Sequence, residues 1–145
     1  MSKVEELISQ LDGSDEEWDA IKWLRENVSN ELPIHLLKAY PKTTQWKKRE
    51  SLVYHSMRYA RESQPAKDLG MLALKDRSKM VRYRACMLLA YSLDQSLLPN
   101  LLELKKDFPE NTMEDLLATI DAIQSQNHHY FVDRDHSGKI KLNIG

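Results

Sequence analysis

The sequence has little cysteine, little glycine and no long apolar run, and each of these shortages excludes a class of structure. The one cysteine, Cys86, cannot form an internal disulfide. The chain has only four glycines and no glycine-rich phosphate loop, which argues against a nucleotide-binding cradle and favours packed helices. No apolar run approaches the roughly 20 residues that a membrane-spanning helix needs. We therefore expect no membrane segment and no membrane partner.

Residue patterns typical of enzymes and metal sites are also missing. There is no nucleophile elbow, and no histidine or lysine flanks Cys86 to activate its thiol. The segment from Asp133 begins with the oxygen-ligand spacing of an EF-hand loop, but its twelfth position is Ile144 instead of a bidentate glutamate. The histidines near the end of the chain lack the spacing of a tetrahedral zinc site. We expect no catalytic residue, no metal site and no cofactor, and therefore no enzyme.

Length and composition are those of one globular domain. A chain of 145 residues, of which 41% are hydrophobic and 30% charged, can bury a core but is short for two domains. The N-terminal segment carries Glu5 and Glu6 where a secretory signal would have basic residues and then an apolar stretch. We expect a single domain over residues 1–145 that resides in the cytoplasm.

Charge is distributed unevenly along the chain, although the net charge is only -1. Residues 42–84 carry 12 basic and 4 acidic side chains, whereas residues 1–41 carry 4 basic and 9 acidic ones, and residues 85–145 carry 5 and 9. The excess of positive charge in the middle of the chain is larger than solubility requires. It predicts that the central segment meets a partner with an acidic surface.

Apolar residues recur at helical spacing along most of the chain and predict eight helices in four pairs. Serine, threonine and proline residues at the expected starts mark several of their boundaries. The predicted helices lie at about residues 4–11, 14–28, 33–40, 44–61, 69–76, 78–93, 99–104 and 112–123. Residues 1–127 are thus expected to form helical repeats.

The last residues follow a different pattern, since polar and apolar residues alternate in the segments 130–133 and 139–144. The segment 135–138 between them is rich in turn-forming residues and ends at Gly138. This pattern predicts that the tail, residues 128–145, forms a short β-hairpin. An isolated hairpin is marginal in water, so we expect it to pack against the last helix pair.

Five residues in the middle of the chain have the spacing of a known helical repeat. An aspartate lies between two predicted helices, a Val-Arg dipeptide opens the second, and alanine and leucine follow; these residues are Asp76, Val81, Arg82, Ala85 and Leu89. The pattern resembles the HEAT repeat, clearly over about residues 69–107 and loosely in the neighbouring repeats. The resemblance implies an all-α fold, an α-α superhelix of about four helical pairs, to which the C-terminal β-hairpin is added. It also implies that Asp76 and Arg82 hold the inter-helix turn.

Basic, tyrosine and tryptophan residues interleave with this framework on the second helices of the two central pairs. Four of them on the helix 44–61 recur at steps of seven, four and three, so they share one face. Second helices of stacked pairs line the concave side, which predicts a positive, tyrosine-bearing groove; a solvated helix surface is the alternative. The candidate partner-binding residues are Trp46, Lys47, Tyr54, Arg58, Arg61, Lys79, Tyr83 and Arg84.

These features lead to two hypotheses about function. The first is a non-catalytic protein-binding module, an adaptor or an inhibitor, that holds an acidic protein partner; an immunity-type protein that neutralises a toxin is one form of it. The alternative is nucleic-acid binding, as in the HEAT-like alkylpurine DNA glycosylases that the chain also resembles. The pI of about 6.5 and the acidic terminal thirds argue against this alternative.

Overall fold

A computed structural model describes residues 2–144; Met1 and Gly145, which belong to the predicted domain and tail, lie outside the described residues. The eight predicted helices are present in this part of the chain, which contains no β-strand. The α-helices are α1 (Lys3–Ile8), α2 (Glu17–Asn27), α3 (Leu32–Ala39), α4 (Trp46–Ser56), α5 (Gln64–Ala73), α6 (Lys79–Ser92), α7 (Leu98–Leu104) and α8 (Met113–Ser125). The prediction of an all-α fold is confirmed.

Short 3-10 helices begin, extend or connect these α-helices. They span Ser29–Glu31, Tyr40–Lys42, Met57–Tyr59, Gln95–Leu97, Glu110–Thr112 and His128–Phe131. Serine hydroxyls cap the starts of three α-helices: Ser2 accepts from the Glu5 amide at 3.1 Å, Ser63 from the Ala66 amide at 3.2 Å, and Ser78 from the Val81 amide at 3.4 Å. Such caps stop each helix from extending backwards into the turn before it.

Helix α6 lies at the centre of the packing. It contacts its pair partner α5 and both neighbouring second helices, α4 and α8, while the first helices α1, α3 and α5 contact one another in turn. Gly70 allows a close approach of α5 to α6, since a Cβ there would lie 2.8 Å from a methyl carbon of Leu88.

Cys86 is buried in α6, and burial raises the pKa of its thiol to about 12, so the thiol stays protonated.

A buried carboxylate, Asp76, organises the turn between α5 and α6. Arg49 donates to it from Nε at 2.7 Å and from Nη2 at 3.1 Å, the Tyr40 hydroxyl donates to it, and the Ser78 amide donates at 2.8 Å. Burial alone would raise the pKa of Asp76, but Arg49 and Tyr40 outweigh this and hold the pKa below its usual value. Asp76 thus ties its own turn to the preceding helix pair.

Two arginines make equivalent contacts from the fourth residue of their helices. In α4, Arg49 donates to the Thr44 carbonyl of its own turn at 2.6 Å and reaches forward to Asp76. In α6, Arg82 donates to the Asp76 carbonyl of its own turn at 2.8 Å and reaches forward to the Thr112 hydroxyl at 2.9 Å. The arginines therefore connect three successive inter-helix turns, and Arg82 has the structural role in the turn that its position predicts.

The predicted β-hairpin at residues 128–145 is not present among the described residues. His128–Phe131 form a 3-10 helix, and residues 139–144 form no helix or strand. The turn forms around the Asp133 carboxylate, which accepts from the Ser137 and Gly138 amides at 3.1 and 2.7 Å. The backbone of Leu142 bonds to histidine side chains instead of to a second strand, which is why the alternating pattern produces no ladder.

Replacing Asp76 tests whether this buried carboxylate stabilises the fold. Asp76→Ala leaves the buried Arg49 guanidinium without its counter-charge and the Tyr40 hydroxyl without its acceptor. We expect the free energy of unfolding to fall by about 3–5 kcal/mol in urea denaturation. The matched control, Asp107→Ala at an exposed aspartate of the turn before α8, should change it by about 0.5 kcal/mol or less. Equal effects of the two substitutions would contradict the assigned role.

Candidate functional site

A cleft of about 430 Å³ opens where α2, α4 and α6 meet the C-terminal tail. It is lined by three arginines, two aromatic residues, two methionines and three residues of the tail. These are Trp18, Arg25, Tyr54, Met57, Arg58, Arg84, Met87, Leu142, Asn143 and Ile144. We call this depression the arginine cleft.

Helical spacing explains how each helix contributes to the arginine cleft. Trp18 and Arg25 are seven residues apart on α2, so both point to the same side. Tyr54 lies on α4, and Arg58 follows it by four residues in the 3-10 turn that continues that helix. Arg84 projects from the second turn of α6, which packs directly against α4. The contact between α4 and α6 therefore brings Arg84 to Tyr54 and Arg58.

The arginine cleft has an excess of positive charge. Arg84 donates from Nε to Glu50 at 2.9 Å, and its guanidinium lies 5.2 Å from the centre of the Tyr54 ring. No carboxylate of residues 2–144 pairs with Arg25 or Arg58. Partial burial lowers the pKa of Arg25, and the nearby charge of Arg58 lowers it further. Two guanidinium groups without a carboxylate partner among the described residues, next to a third that is held in place, favour an anionic ligand.

A neutral histidine lies beneath the aromatic residues of the cleft. His55 is fully buried on α4, with the rings of Trp18 and Tyr54 edge-on at 5.3 and 5.2 Å. Its Nε2 is 3.5 Å from a Glu17 oxygen, and neither ring nitrogen forms a hydrogen bond. Burial lowers the pKa of His55 to about 4, helped by the charge of Arg25. The imidazole is therefore neutral near pH 7 and supports the rings above it.

Three of the eight predicted site residues, Tyr54, Arg58 and Arg84, lie together in the arginine cleft. Trp46 and Lys47 instead border a separate depression of about 450 Å³ at the inter-helix turns, together with Arg77. This second depression borders the edge where α4 and α6 begin.

The other three predicted residues face different surroundings. Lys79 is exposed at the first residue of α6, and Tyr83 is half-buried with its ring 5.7 Å from that of Phe131. Arg61 donates from Nε to the Tyr91 carbonyl at 2.9 Å and from Nη2 to His128 at 2.8 Å. Because α4 ends at Ser56, the helical spacing that predicts one face does not continue to Arg61.

Sequence reasoning missed several residues that line the cleft. Trp18 and Arg25 lie in the acidic N-terminal third, although their spacing of seven could have placed them on one face of α2. Trp18 is 47% exposed, so it forms part of the surface and not of the core. Leu142 and Ile144 could not be assigned to the cleft, since the path of the tail depends on contacts with distant residues.

A larger depression of about 570 Å³ lies between α1, α3 and α4. Lys38, Lys42 and Lys48 border it together with His35, and Glu5 lies opposite them. It contains no aromatic side chain other than His35 and none of the predicted site residues. Arginine and aromatic residues contribute most to protein interfaces, which makes the arginine cleft the better candidate for binding a protein.

Acid should destabilise the protein through His55. Below about pH 6.5, the unfolded chain binds a proton at this histidine while the folded chain does not until the pH falls to about 4. The free energy of unfolding should therefore decrease between these values by roughly 3 kcal/mol. His55→Leu should reduce this dependence in urea denaturation at several pH values, whereas Ser56→Ala, at an adjacent buried residue without a titrating group, should leave it intact. An undiminished dependence in His55→Leu would refute the assignment.

Among residues 2–144, no group of three or more His, Cys, Asp or Glu residues is arranged to hold a metal ion. No helix in the described part of the chain is both long and apolar enough to cross a membrane. No model of a protein family matches the chain, and its comparison with curated proteins and with solved structures gave no match either.

Proposed function

We propose that this protein is a non-catalytic protein-binding module, an adaptor or an inhibitor, that holds an acidic surface of a protein partner at the arginine cleft. The observation that carries the proposal is the convergence of Arg25, Arg58 and Arg84 with two exposed aromatic side chains, Trp18 and Tyr54. Arginine, tryptophan and tyrosine are the residues that most often dominate the free energy of protein association. The uncompensated charges select an acidic partner.

Several side chains of the cleft are already ordered, so little conformational entropy is lost when a partner binds. The Arg84 guanidinium is already held by Glu50 and by the Tyr54 ring, and Trp18 and Tyr54 pack edge-on against each other at 6.3 Å. Side chains that are ordered before association lose less conformational entropy when a partner binds. Met57 and Met87 in the wall add adaptable apolar contact beside the charges.

We further propose that the fold is a HEAT-like α-α superhelix. Its support is the stacking of the first helices α1, α3 and α5 on one another in turn, and of the second helices α4, α6 and α8. A second support is the repeated arginine at the fourth residue of α4 and α6, since Arg49 and Arg82 make equivalent turn contacts. In such a superhelix the second helices line the concave side, and the arginine cleft, which is lined by α2, α4 and α6, would open there.

The size of the domain and this architecture suit an inhibitor that covers a partner's active site. An immunity-type protein, which neutralises a toxin in the cytoplasm by such a cover, is the specific form that we propose. This step rests on architecture by analogy, whereas the binding site itself rests on the residues of the cleft. An enzyme active site that binds cationic substrates has acidic residues that would pair with the arginines.

Charge reversal at the centre of the cleft tests the proposal. Arg58→Glu removes an exposed, unpaired guanidinium and places a negative charge where the partner's carboxylates would lie. Proteins captured by the wild-type chain from extracts of its native cell should be lost with Arg58→Glu, and the purified complex should weaken by about 2 kcal/mol or more in calorimetry. Affinity should also fall as the salt concentration rises.

A second reversal, Lys105→Glu, is the matched control. Lys105 is exposed at the end of α7, a helix that contributes no residue to the cleft, and the substitution changes the net charge by the same amount. Its complex should keep the wild-type affinity. If both reversals weaken binding equally, net charge governs the association and the arginine cleft is not the binding site.

Nucleic-acid binding is the alternative that the same variants distinguish. Duplex DNA added to the protein at two salt concentrations should show no binding at the lower one if the partner is a protein. Phosphate binding that weakens steeply with salt and is lost in Arg58→Glu would instead favour the alternative. The tail residues Leu142, Asn143 and Ile144 line one side of the cleft and narrow the space that a duplex would need.

A further inference from the structure

Two adjacent histidines, His128 and His129, hold the part of the tail that forms one wall of the arginine cleft. The Leu142 amide donates to Nδ1 of His129 at 3.0 Å, and the Leu142 carbonyl lies 3.2 Å from Nε2 of His128. Both polar groups of one backbone residue are thus bound by imidazoles. Leu142 is buried at this point, and the residues that follow it, Asn143 and Ile144, continue along the cleft.

The partners of these imidazoles fix their protonation states. The Leu142 amide can only donate, so Nδ1 of His129 must carry a lone pair. The Arg61 guanidinium can also only donate, and it lies 2.8 Å from Nδ1 of His128, which must therefore accept as well. Nε2 of His128 then carries the proton that it donates to the Leu142 carbonyl. Both hydrogen bonds to Leu142 can therefore form only when His128 and His129 are neutral.

The surroundings of His128 also oppose its protonation. The two imidazole rings are 4.0 Å apart, so a proton on one repels a proton on the other. Arg61 adds a permanent positive charge beside His128, and the Tyr91 ring packs edge-on against the same histidine at 5.1 Å. Partial burial lowers the pKa of His128, and the charges of His129 and Arg61 lower it further. If the tail undocks, the Leu142 carbonyl no longer covers His128, and this imidazole is freer to accept a proton.

We propose that His128 and His129 form a pH-sensitive clamp that docks the tail at neutral pH and releases it in mild acid, which removes one wall of the arginine cleft and weakens partner binding there. This inference rests on the proposed function of the cleft. The direction follows from linkage: the docked state holds fewer protons than the released state, so it is favoured above the ordinary histidine range and lost as the pH falls through it.

The three arginines of the cleft and the buried histidine beneath it, His55, do not titrate in this interval. Arginines stay charged, so Arg25, Arg58 and Arg84 keep the same charge throughout. His55 has its pKa lowered to about 4 by burial and gains its proton only in stronger acid. His136, the other histidine of the tail, contacts the Asp121 carboxylate at 2.6 Å and does not line the cleft. A change in binding in mild acid therefore reports the clamp.

Amide hydrogen exchange at Leu142 measures docking directly and needs no partner. In the whole protein, the protection factor of this amide, corrected for the intrinsic effect of pH, should fall by about tenfold or more between about pH 7.5 and about pH 5. Amides in the middle of α6 should keep their protection over the same range, which shows that the fold is intact. Constant protection at Leu142 would overturn the clamp.

Variants whose side chains keep the hydrogen bonds to Leu142 but cannot gain a proton provide a sharper test. In His128→Gln/His129→Asn, an amide oxygen replaces the acceptor at residue 129 and an amide nitrogen replaces the donor at residue 128. Protection at Leu142 should then persist at about pH 5. The matched control His136→Gln, in the same tail, should keep the wild-type response to acid. Should the double variant release the tail even at neutral pH, the single variant His129→Asn must still show a shallower response than wild type, and an equal response would overturn the proposal.

Binding of a fluorescently labelled oligoglutamate peptide links the clamp to the cleft. Wild-type affinity should fall severalfold between about pH 7.5 and about pH 5, and His128→Gln/His129→Asn should abolish most of that fall. Pairing this titration with Arg58→Glu separates the two proposals. If Arg58→Glu no longer binds the peptide but acid does not change the affinity of the wild-type protein, the clamp alone is refuted. A Leu142 amide that responds to acid while Arg58→Glu binds normally refutes the proposed function of the cleft and the regulation inferred for it, leaving only a pH-sensitive tail.

Discussion

The buried carboxylate of Asp76 is the constraint on which the rest of the structure depends. A charge removed from water must be paired and hydrogen-bonded, and Asp76 obtains its side-chain partners from outside its own helix pair: Arg49 and Tyr40 come from the pair before it. The register of the second and third pairs is therefore set by one aspartate. Arg82 transmits the same constraint forward, because it binds the Asp76 carbonyl on one side and Thr112 on the other.

This constraint also positions the arginine cleft. Arg49 is buried at the start of α4, and Tyr54 is exposed farther along the same helix. Because both lie on one helix, fixing the position of Arg49 also fixes the position of Tyr54. On α6, Arg82 is buried and Arg84, two residues later, points to the cleft. Helix α6 thus carries both an arginine that stabilises the stack, Arg82, and one that lines the cleft, Arg84. The arrangement turns a set of local helix faces into one shared surface.

The tail illustrates why part of the site could not be predicted. Its alternating residues favour strands, but strands need a ladder, and the histidines supply the hydrogen bonds of Leu142 before any ladder forms. The ion pair of Arg84 with Glu50 joins two helices that are far apart in sequence, and so does the contact of Arg61 with His128. Periodicity describes one helix at a time, so it could place Tyr54 and Arg58 near each other but could not add Trp18 or Leu142 to them.

The sequence by itself determined the eight helices, the all-α class, the positive centre of the chain and the structural role of Arg82, because spacing, capping and local charge act over a few residues. Tertiary structure decided which of the basic residues converge. It placed Arg58 and Arg84 in one cleft, turned Arg61 towards Tyr91 and His128, and brought residues 142–144 of the tail to the same cleft. These outcomes depend on long-range contacts whose partners must be buried or paired together, and no local pattern specifies them.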